Sequence, residues 1–310
     1  MLFDTKEIKK YWENLESKAS APNNASKVSV INFKDLKKAC REKNEFYIKS
    51  LIKKMYNGNA FIIRNAAKKN LKNTIIKLAK QYDKKYKPSF HKMLDGTPNF
   101  HRIYDKNITK KYSLYAIKHS YFFYNWNIKT KLEKELKDGV YRHWRYVKFL
   151  AGNSMYQYEK NIPSDGQIDR LQIVNYPKGG GELRDHVDPR KNQRIVSGLI
   201  MSKIGENFKT GGFYFRDKKN KKINIENQLE IGDAVIFYGS MVHGVEPVEI
   251  YKKLDWKSHE SRWFIGMFVN DSNHVKNRST AKDLTGSINI KKNLFTKGLN
   301  DNANTKCKLN

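Results

Sequence analysis

The sequence predicts an α+β protein: a β-sandwich or barrel of the jelly-roll, cupin-like kind, preceded by a helical half that packs outside it. Two changes of grammar along the chain carry this. Up to about residue 55 the apolar residues recur at helical spacing, as in Leu36, Ala39 and Cys40 and then Phe46, Ile48, Leu51 and Ile52. Past Asp165, short β-rich runs alternate with Gly, Asn, Asp and Lys turns. A chain of 310 residues with 39% hydrophobic residues can bury a substantial core around such strands.

In chain order, the helical approach segment ends at Gly58, and the apolar run Ala60 to Ile63 reads as a strand between turn residues. Leu71, Ile75, Ile76 and Leu78 then return to helical spacing. Residues 87–105 are irregular, with Pro88, Gly96 and Pro98, and bring His91, His101 and Arg102 to a segment that reads as a lid. Tyr121 to Asn127 gathers aromatics densely enough for a core layer or, second, a substrate wall. The predicted strands beyond are 171–176, 195–201, 212–215, 234–237 and 263–269, and Lys218 to Lys222 reads as a solvated hairpin loop. The expected organisation is therefore a helical N-terminal region over 1–160 with lid and support elements, a catalytic core over 161–270 and a polar, loosely held tail over 271–310.

Composition narrows the setting. No run approaches the roughly 18 apolar residues that span a bilayer, and Met1 to Lys6 lacks the basic start and apolar stretch of a secretory signal, so the expected location is the cytoplasm. Cys40 and Cys307 are the two cysteines, too few for a disulfide framework, and neither has a metal-ligand neighbour. The formal charge of +30 has three readings: solubility with coding bias, an anionic substrate or carrier, and nucleic acid.

Chemistry concentrates at His186-Val187-Asp188 and at His243, which follows the apolar run Val235 to Val242. On a strand, residues i and i+2 point to one face, so His186 and Asp188 can ligate one ion. A second imidazole from another strand completes two histidines and one carboxylate, the donor set of non-haem Fe(II), which leaves three positions open. Chance alone supplies about one His-x-acid in a chain of this composition, so the flanks decide. They are Tyr176-Pro177-Lys178-Gly179 before His186, Arg194 opening the next strand, Gly211-Gly212-Phe213-Tyr214-Phe215, Gly232-Asp233, and His243-Gly244-Val245-Glu246-Pro247-Val248.

Over roughly residues 171–269 this ordered series resembles the 2-oxoglutarate- and Fe(II)-dependent dioxygenases, in particular their prolyl-4-hydroxylase-like branch. The resemblance implies a double-stranded β-helix that holds Fe(II) through His186, Asp188 and His243, with 2-oxoglutarate and dioxygen in the open positions. It implies oxygenation of a substrate, with succinate and carbon dioxide as coproducts. Asp188 would serve as a ligand rather than as an acid or base, and its presence argues against the halogenating relatives. The distal carboxylate of 2-oxoglutarate would take a cation from the closing strand. Arg262, opening Arg262 to Phe268, is preferred to Lys253, which sits at the family's usual distance from His243 but in an inserted polar loop.

Tyr176 would hydrogen-bond the same cosubstrate, with an ordinary core tyrosine as the alternative. Arg194 reads as a cavity residue or a strand cap; Arg184, with Asp185, reads as a group that orients the first ligand or closes over it, and both arginines are candidate substrate contacts. For the substrate, a small anionic metabolite or sugar-type molecule ranks first and a protein or peptide second. A nucleic acid ranks third, because repair enzymes of the family place a second arginine where this chain has Phe268. A non-catalytic jelly-roll binding module is the remaining alternative.

Overall fold

The computed structural model describes residues 5–285 apart from 113 and 192. Its helices are α1 (Thr5–Lys18), α2 (Phe33–Arg41), α3 (Glu45–Tyr56), α4 (Leu71–Lys85) and α5 (Lys131–Leu150). Its strands in the first half are β1 (Lys27–Asn32), β2 (Asn59–Arg64), β3 (Phe100–Tyr104) and β4 (Ala116–Tyr124). There follow β5 (Gln167–Tyr176), β6 (Gly181–Val187), β7 (Ile195–Ile200), β8 (Gly212–Arg216) and β9 (Lys222–Asn224). The last four are β10 (Ala234–Tyr238), β11 (His243–Val248), β12 (Arg262–Asp271) and β13 (Lys282–Asp283).

The strands form a double-stranded β-helix. One sheet runs β1-β2-β10-β7-β12-β5-β4, with β3 beyond β4; the other runs β6-β11-β8-β9, with β13 on β6. All pairs are antiparallel except β1 with β2. β4 joins the sheets, pairing with β5 through residues 119–124 and with β6 through 116 and 117.

Helices cover the outer face of the larger sheet. The Trp12 indole of α1 stacks on Tyr238 of β10 at 5.5 Å and donates to the Leu150 carbonyl at the end of α5. Thr130 and Glu133 close a capping box at the start of α5. Farther along α5, Lys148 reaches through the layer to Asp169 of β5 at 3.0 Å, and Trp144 and Tyr141 donate to the same carboxylate. Both charges of this pair are buried.

Period-2 alternation gives the strands two working faces. Tyr121 and Phe123 of β4 enter the core under the helices, whereas Phe122 and Tyr124 line an internal cavity on the other side. The aromatic run is thus a core layer and a cavity wall at once. In β5, Leu171 and Ile173 face the helices, and Arg170, Gln172 and Tyr176 face the cavity.

The N-terminal half is less helical than its periodicity predicts. Lys27–Asn32 is strand, inside a segment read as continuous helix, and its last residue caps α2. The irregular segment 87–105 ends in β3, which pairs with β4 along its length. Beyond Asn270 the chain is not loose through residue 285: β13 pairs with β6, and Arg278, Thr280 and Ala281 line the cavity. Cys40 is buried; Cys307 lies outside the described residues.

Because Lys148 neutralises a fully buried carboxylate, Lys148→Ala is expected to cost about 3–5 kcal/mol in urea unfolding. Arg145→Ala, whose partner Glu159 is met at a partly exposed position, is expected to cost under about 1 kcal/mol.

Candidate metal centre and active site

His186 closes β6, and His243 opens β11 directly opposite it. The rings lie 4.1 Å apart between centroids. Asp188 follows β6, fastened by its amide to the Gly239 carbonyl at 2.9 Å, and its Oδ2 lies 3.4 Å from His243 Nε2. One ligand atom from each of the three residues falls within 4.8 Å of the others.

Each imidazole is oriented from behind. His186 Nδ1 donates to the Arg184 carbonyl and His243 Nδ1 to the Met241 carbonyl, both at 2.9 Å, which leaves the two Nε2 lone pairs for a common centre. Burial, then the neighbouring His243, pushes the His186 pKa down to about 4. At Asp188 burial acts upward, but the neighbouring His243, His186 and Lys118 outweigh it and hold the carboxyl below its usual range. These groups are in the protonation states that bind a metal ion at neutral pH. Gly244 lets the backbone pass close: a Cβ there would meet Tyr214 Oη at 2.5 Å and the Leu183 carbonyl at 2.7 Å.

The triad opens into a cavity of about 210 Å³ between the two sheets. At one end Arg262, directly across from Tyr176, lies with its guanidinium 5.6 Å from the Tyr176 ring centre. Arg262 Nε and Nη2 donate to Glu226 Oε2 at 3.0 and 2.9 Å, and the Phe213 amide donates to the same oxygen at 2.6 Å. Two donors of the guanidinium fork thus hold Glu226. Tyr176 Oη is buried with no hydrogen-bond partner among the described residues. An orphaned phenol beside a buried guanidinium fits a ligand carboxylate, as 2-oxoglutarate supplies.

The cavity also holds cations that the sequence reading passed over: Lys118 of β4, Arg170 of β5 and Arg278, joined by Arg102 of β3. Arg102 lies over five aromatic rings, the nearest being Phe90 at 4.4 Å and Tyr112 at 4.8 Å. Burial, then Arg170, pushes Lys118 down to about 8. Among the described residues lining the cavity, Asp188 is the only acid. A signal was present in β5, where polar Arg170 and Gln172 share the alternation of Tyr176. Glu226 left no motif of its own; its trace is Gly212, where a Cβ would meet the Glu226 Cγ at 2.5 Å.

Two expected cavity residues lie elsewhere. Arg194 pairs with Glu16 of α1 at 2.9 and 3.1 Å on the helical side of the sheet. Arg184 stacks over Tyr115 at 3.7 Å, outside the cavity. A β-bulge is the reason. Leu183 pairs with Val245 and His186 with His243, so β6 carries one residue more than its partner, and Arg184 loses the face that its spacing from His186 suggests. What Arg184 contributes to the site is its carbonyl. Lys253 is exposed in the loop before β12 and does not line the cavity. His91 reaches the cavity wall; His101 does not.

The family comparison agrees with this construction. Residues 171–270 match the model of the 2OG-Fe(II) oxygenase superfamily. No curated protein matches the chain. Similar solved structures include a full-length Neurospora crassa protein in complex with alpha-KG and thymine, at 13% identity over 80% of this chain and 86% of that one, with a TM-score of 0.49. A Pseudomonas putida prolyl-4-hydroxylase is 10% identical over 68% of this chain and 91% of its own, with a TM-score of 0.42. A Trichoplax adhaerens prolyl hydroxylase in complex with a hypoxia inducible factor peptide is 12% identical over 74% and 91%, with a TM-score of 0.44. Through residues 171–270 the chain is similar to the 2OG-Fe(II) oxygenase superfamily. It is a 2-oxoglutarate-dependent non-haem iron dioxygenase, with Fe(II), 2-oxoglutarate and dioxygen as its cofactors. Among the described residues no helix is long and apolar enough to cross a membrane.

If Arg262 and Tyr176 receive 2-oxoglutarate, Arg262→Lys keeps a cation for Glu226 but loses the planar fork, and is expected to raise the half-saturating 2-oxoglutarate concentration about tenfold or more. Lys253→Ala should change it less than about twofold. Tyr176→Phe should weaken 2-oxoglutarate binding several-fold without lowering the melting temperature of the ligand-free protein, because it removes a buried hydroxyl that has no partner there.

Proposed function

We propose that the chain oxygenates a small anionic molecule bound in the cavity, with His186, Asp188 and His243 holding Fe(II) and with Arg262 and Tyr176 holding the distal carboxylate of 2-oxoglutarate. The observation that carries the substrate class is the group Arg102, Lys118, Arg170 and Arg278, four cations that line one cavity in which Asp188 is the only acid among the described lining residues. Arg170 has a buried Nε with no hydrogen-bond partner among the described residues, and burial pushes Lys118 down to about 8, so a bound carboxylate or phosphate would stabilise both. The aromatic walls, Phe100, Tyr104, Phe122, Tyr124 and Phe268 among them, suit an apolar or planar body attached to the anionic group. A cavity volume of about 210 Å³ suits a small molecule.

When bound, iron and 2-oxoglutarate supply the oxidising chemistry, coupled to loss of carbon dioxide and release of succinate. The residues of the chain place the participants. The Arg184 and Met241 carbonyls fix the ring orientations of His186 and His243, and Glu226 fixes Arg262. Arg170, held over Phe122 and Phe268, anchors the anionic end of the substrate on the same wall as Arg262, toward the other end of the β5–β12 pair. Arg278, Thr280 and Ala281 line the cavity just before β13, which pairs with β6.

Oxygen-dependent succinate release across carboxylated and phosphorylated metabolites, sugars, amino acids, peptides and oligonucleotides tests the reading. A phosphorylated or carboxylated small molecule is expected to stimulate release, and Arg170→Met is expected to raise its KM about tenfold to a hundredfold, the worth of one charge-assisted hydrogen bond. Stimulation confined to oligonucleotides or to peptides would contradict it.

A further inference from the structure

The reverse face of the cavity wall carries a second cluster of ligand-type side chains. Arg102 and Lys118 face the cavity, so alternation turns His101 of β3 and His119 of β4 to the opposite face. His101 lies directly across from Tyr121, with His119 two residues before it in β4. The three rings are nearly parallel, His101 and His119 flanking Tyr121 at 5.5 and 6.1 Å. Asp83, from the last turns of α4, comes down onto this face, and its Oδ1 lies 3.3 Å from His101 Nδ1. Ligand atoms of Asp83, His101 and His119 all fall within 4.8 Å of one another.

The hydrogen bonds fix what these atoms are. His101 Nε2 lies 2.7 Å from the Tyr86 carbonyl, and His119 Nε2 lies 3.0 Å from the Trp256 carbonyl. A carbonyl only accepts, so in each neutral ring Nε2 carries the hydrogen and Nδ1 presents a lone pair. Both Nδ1 atoms are buried and lack a hydrogen-bond partner. Tyr121 cannot serve them, because its single hydroxyl hydrogen goes to Asp83, whose two oxygens lie at 2.9 and 3.0 Å. Three acceptors therefore converge with no donor between them. A hydrogen on His101 Nδ1 would serve Asp83 alone and leave the buried His119 Nδ1 without a partner. A divalent cation satisfies all three at once.

We propose that Asp83, His101 and His119 form a second metal site, distinct from the His186–Asp188–His243 triad, which takes a divalent transition ion such as zinc. Two imidazoles locked by backbone carbonyls and one carboxylate are borderline donors that suit zinc, with a fourth position left for water beside the partly exposed Asp83. The ion ties α4 to β3 and β4 behind the wall that presents Arg102 and Lys118. Through the Trp256 carbonyl on His119 it also secures the loop that leads to Arg262.

The test is zinc stoichiometry, read by competition with a chromophoric chelator. Wild type is expected to bind two equivalents, and the variant His186→Ala/His243→Ala is expected to bind one. Adding either His119→Ala or Asp83→Asn to that variant should remove the remaining equivalent. Zinc should raise the melting temperature of the double variant and leave that of the Asp83→Asn triple variant unchanged. Asp83 is partly exposed, so this substitution leaves the core intact should His119→Ala fail to fold. The proposal is overturned if the double variant binds no zinc, or if its zinc binding survives both added substitutions.

Discussion

The pairing of β6 with β11 is the constraint on which the rest of the molecule depends. It sets His186 opposite His243 at the point where one strand ends and the other begins, so both rings project into the space between the sheets. The bulge in β6 allows Leu183 and His186 to face the same cavity despite their odd spacing, and it turns Arg184 outward while keeping its carbonyl against the His186 ring. Gly244 and the backbone bond from Asp188 to Gly239 hold this corner close. The metal centre is thus a property of register, and a one-residue slip would dismantle it.

From that corner, the cavity grows by alternation. β4 and β5 give one face to the helical core and the other to the site, so the packing that stabilises the fold also positions Lys118, Arg170, Gln172 and Tyr176. The helices matter to chemistry in this indirect way: Lys148 of α5 holds Asp169, the residue before Arg170, in the buried layer. The two ends of the cavity differ in kind. At the Arg262 end a cation already has its carboxylate in Glu226 and lies beside the Tyr176 ring. On the β3–β4 side, cations gather among aromatic rings, which is the ground for the anionic substrate proposed above.

Much of this was legible in the chain because several weak signals coincide there. Turn residues punctuate each strand after Asp165, and a closing apolar strand headed by Arg262 distinguishes it from Lys253 in its polar loop. What stayed hidden has physical causes. β1 runs straight into the cap of α2 with no turn to separate them. Lys118 and Arg278 are cations in a lysine-rich chain, where a charge reads as solvated until burial is known. The β6 bulge leaves no mark in composition, so spacing from His186 does not reveal that Arg184 leaves the cavity face. Arg194 opens a strand as read, yet the side it faces is decided by Glu16, 178 residues away in sequence.

The central claim is that His186, Asp188 and His243 hold iron within reach of 2-oxoglutarate at Arg262. The most direct measurement is the visible spectrum of the protein with Fe(II) and 2-oxoglutarate under strict anaerobiosis. The account predicts a metal-to-ligand charge-transfer band that is absent without 2-oxoglutarate and absent in His186→Ala. A wild-type protein that is folded, holds Fe(II) and yet shows no band, or a band that persists in His186→Ala, would contradict it.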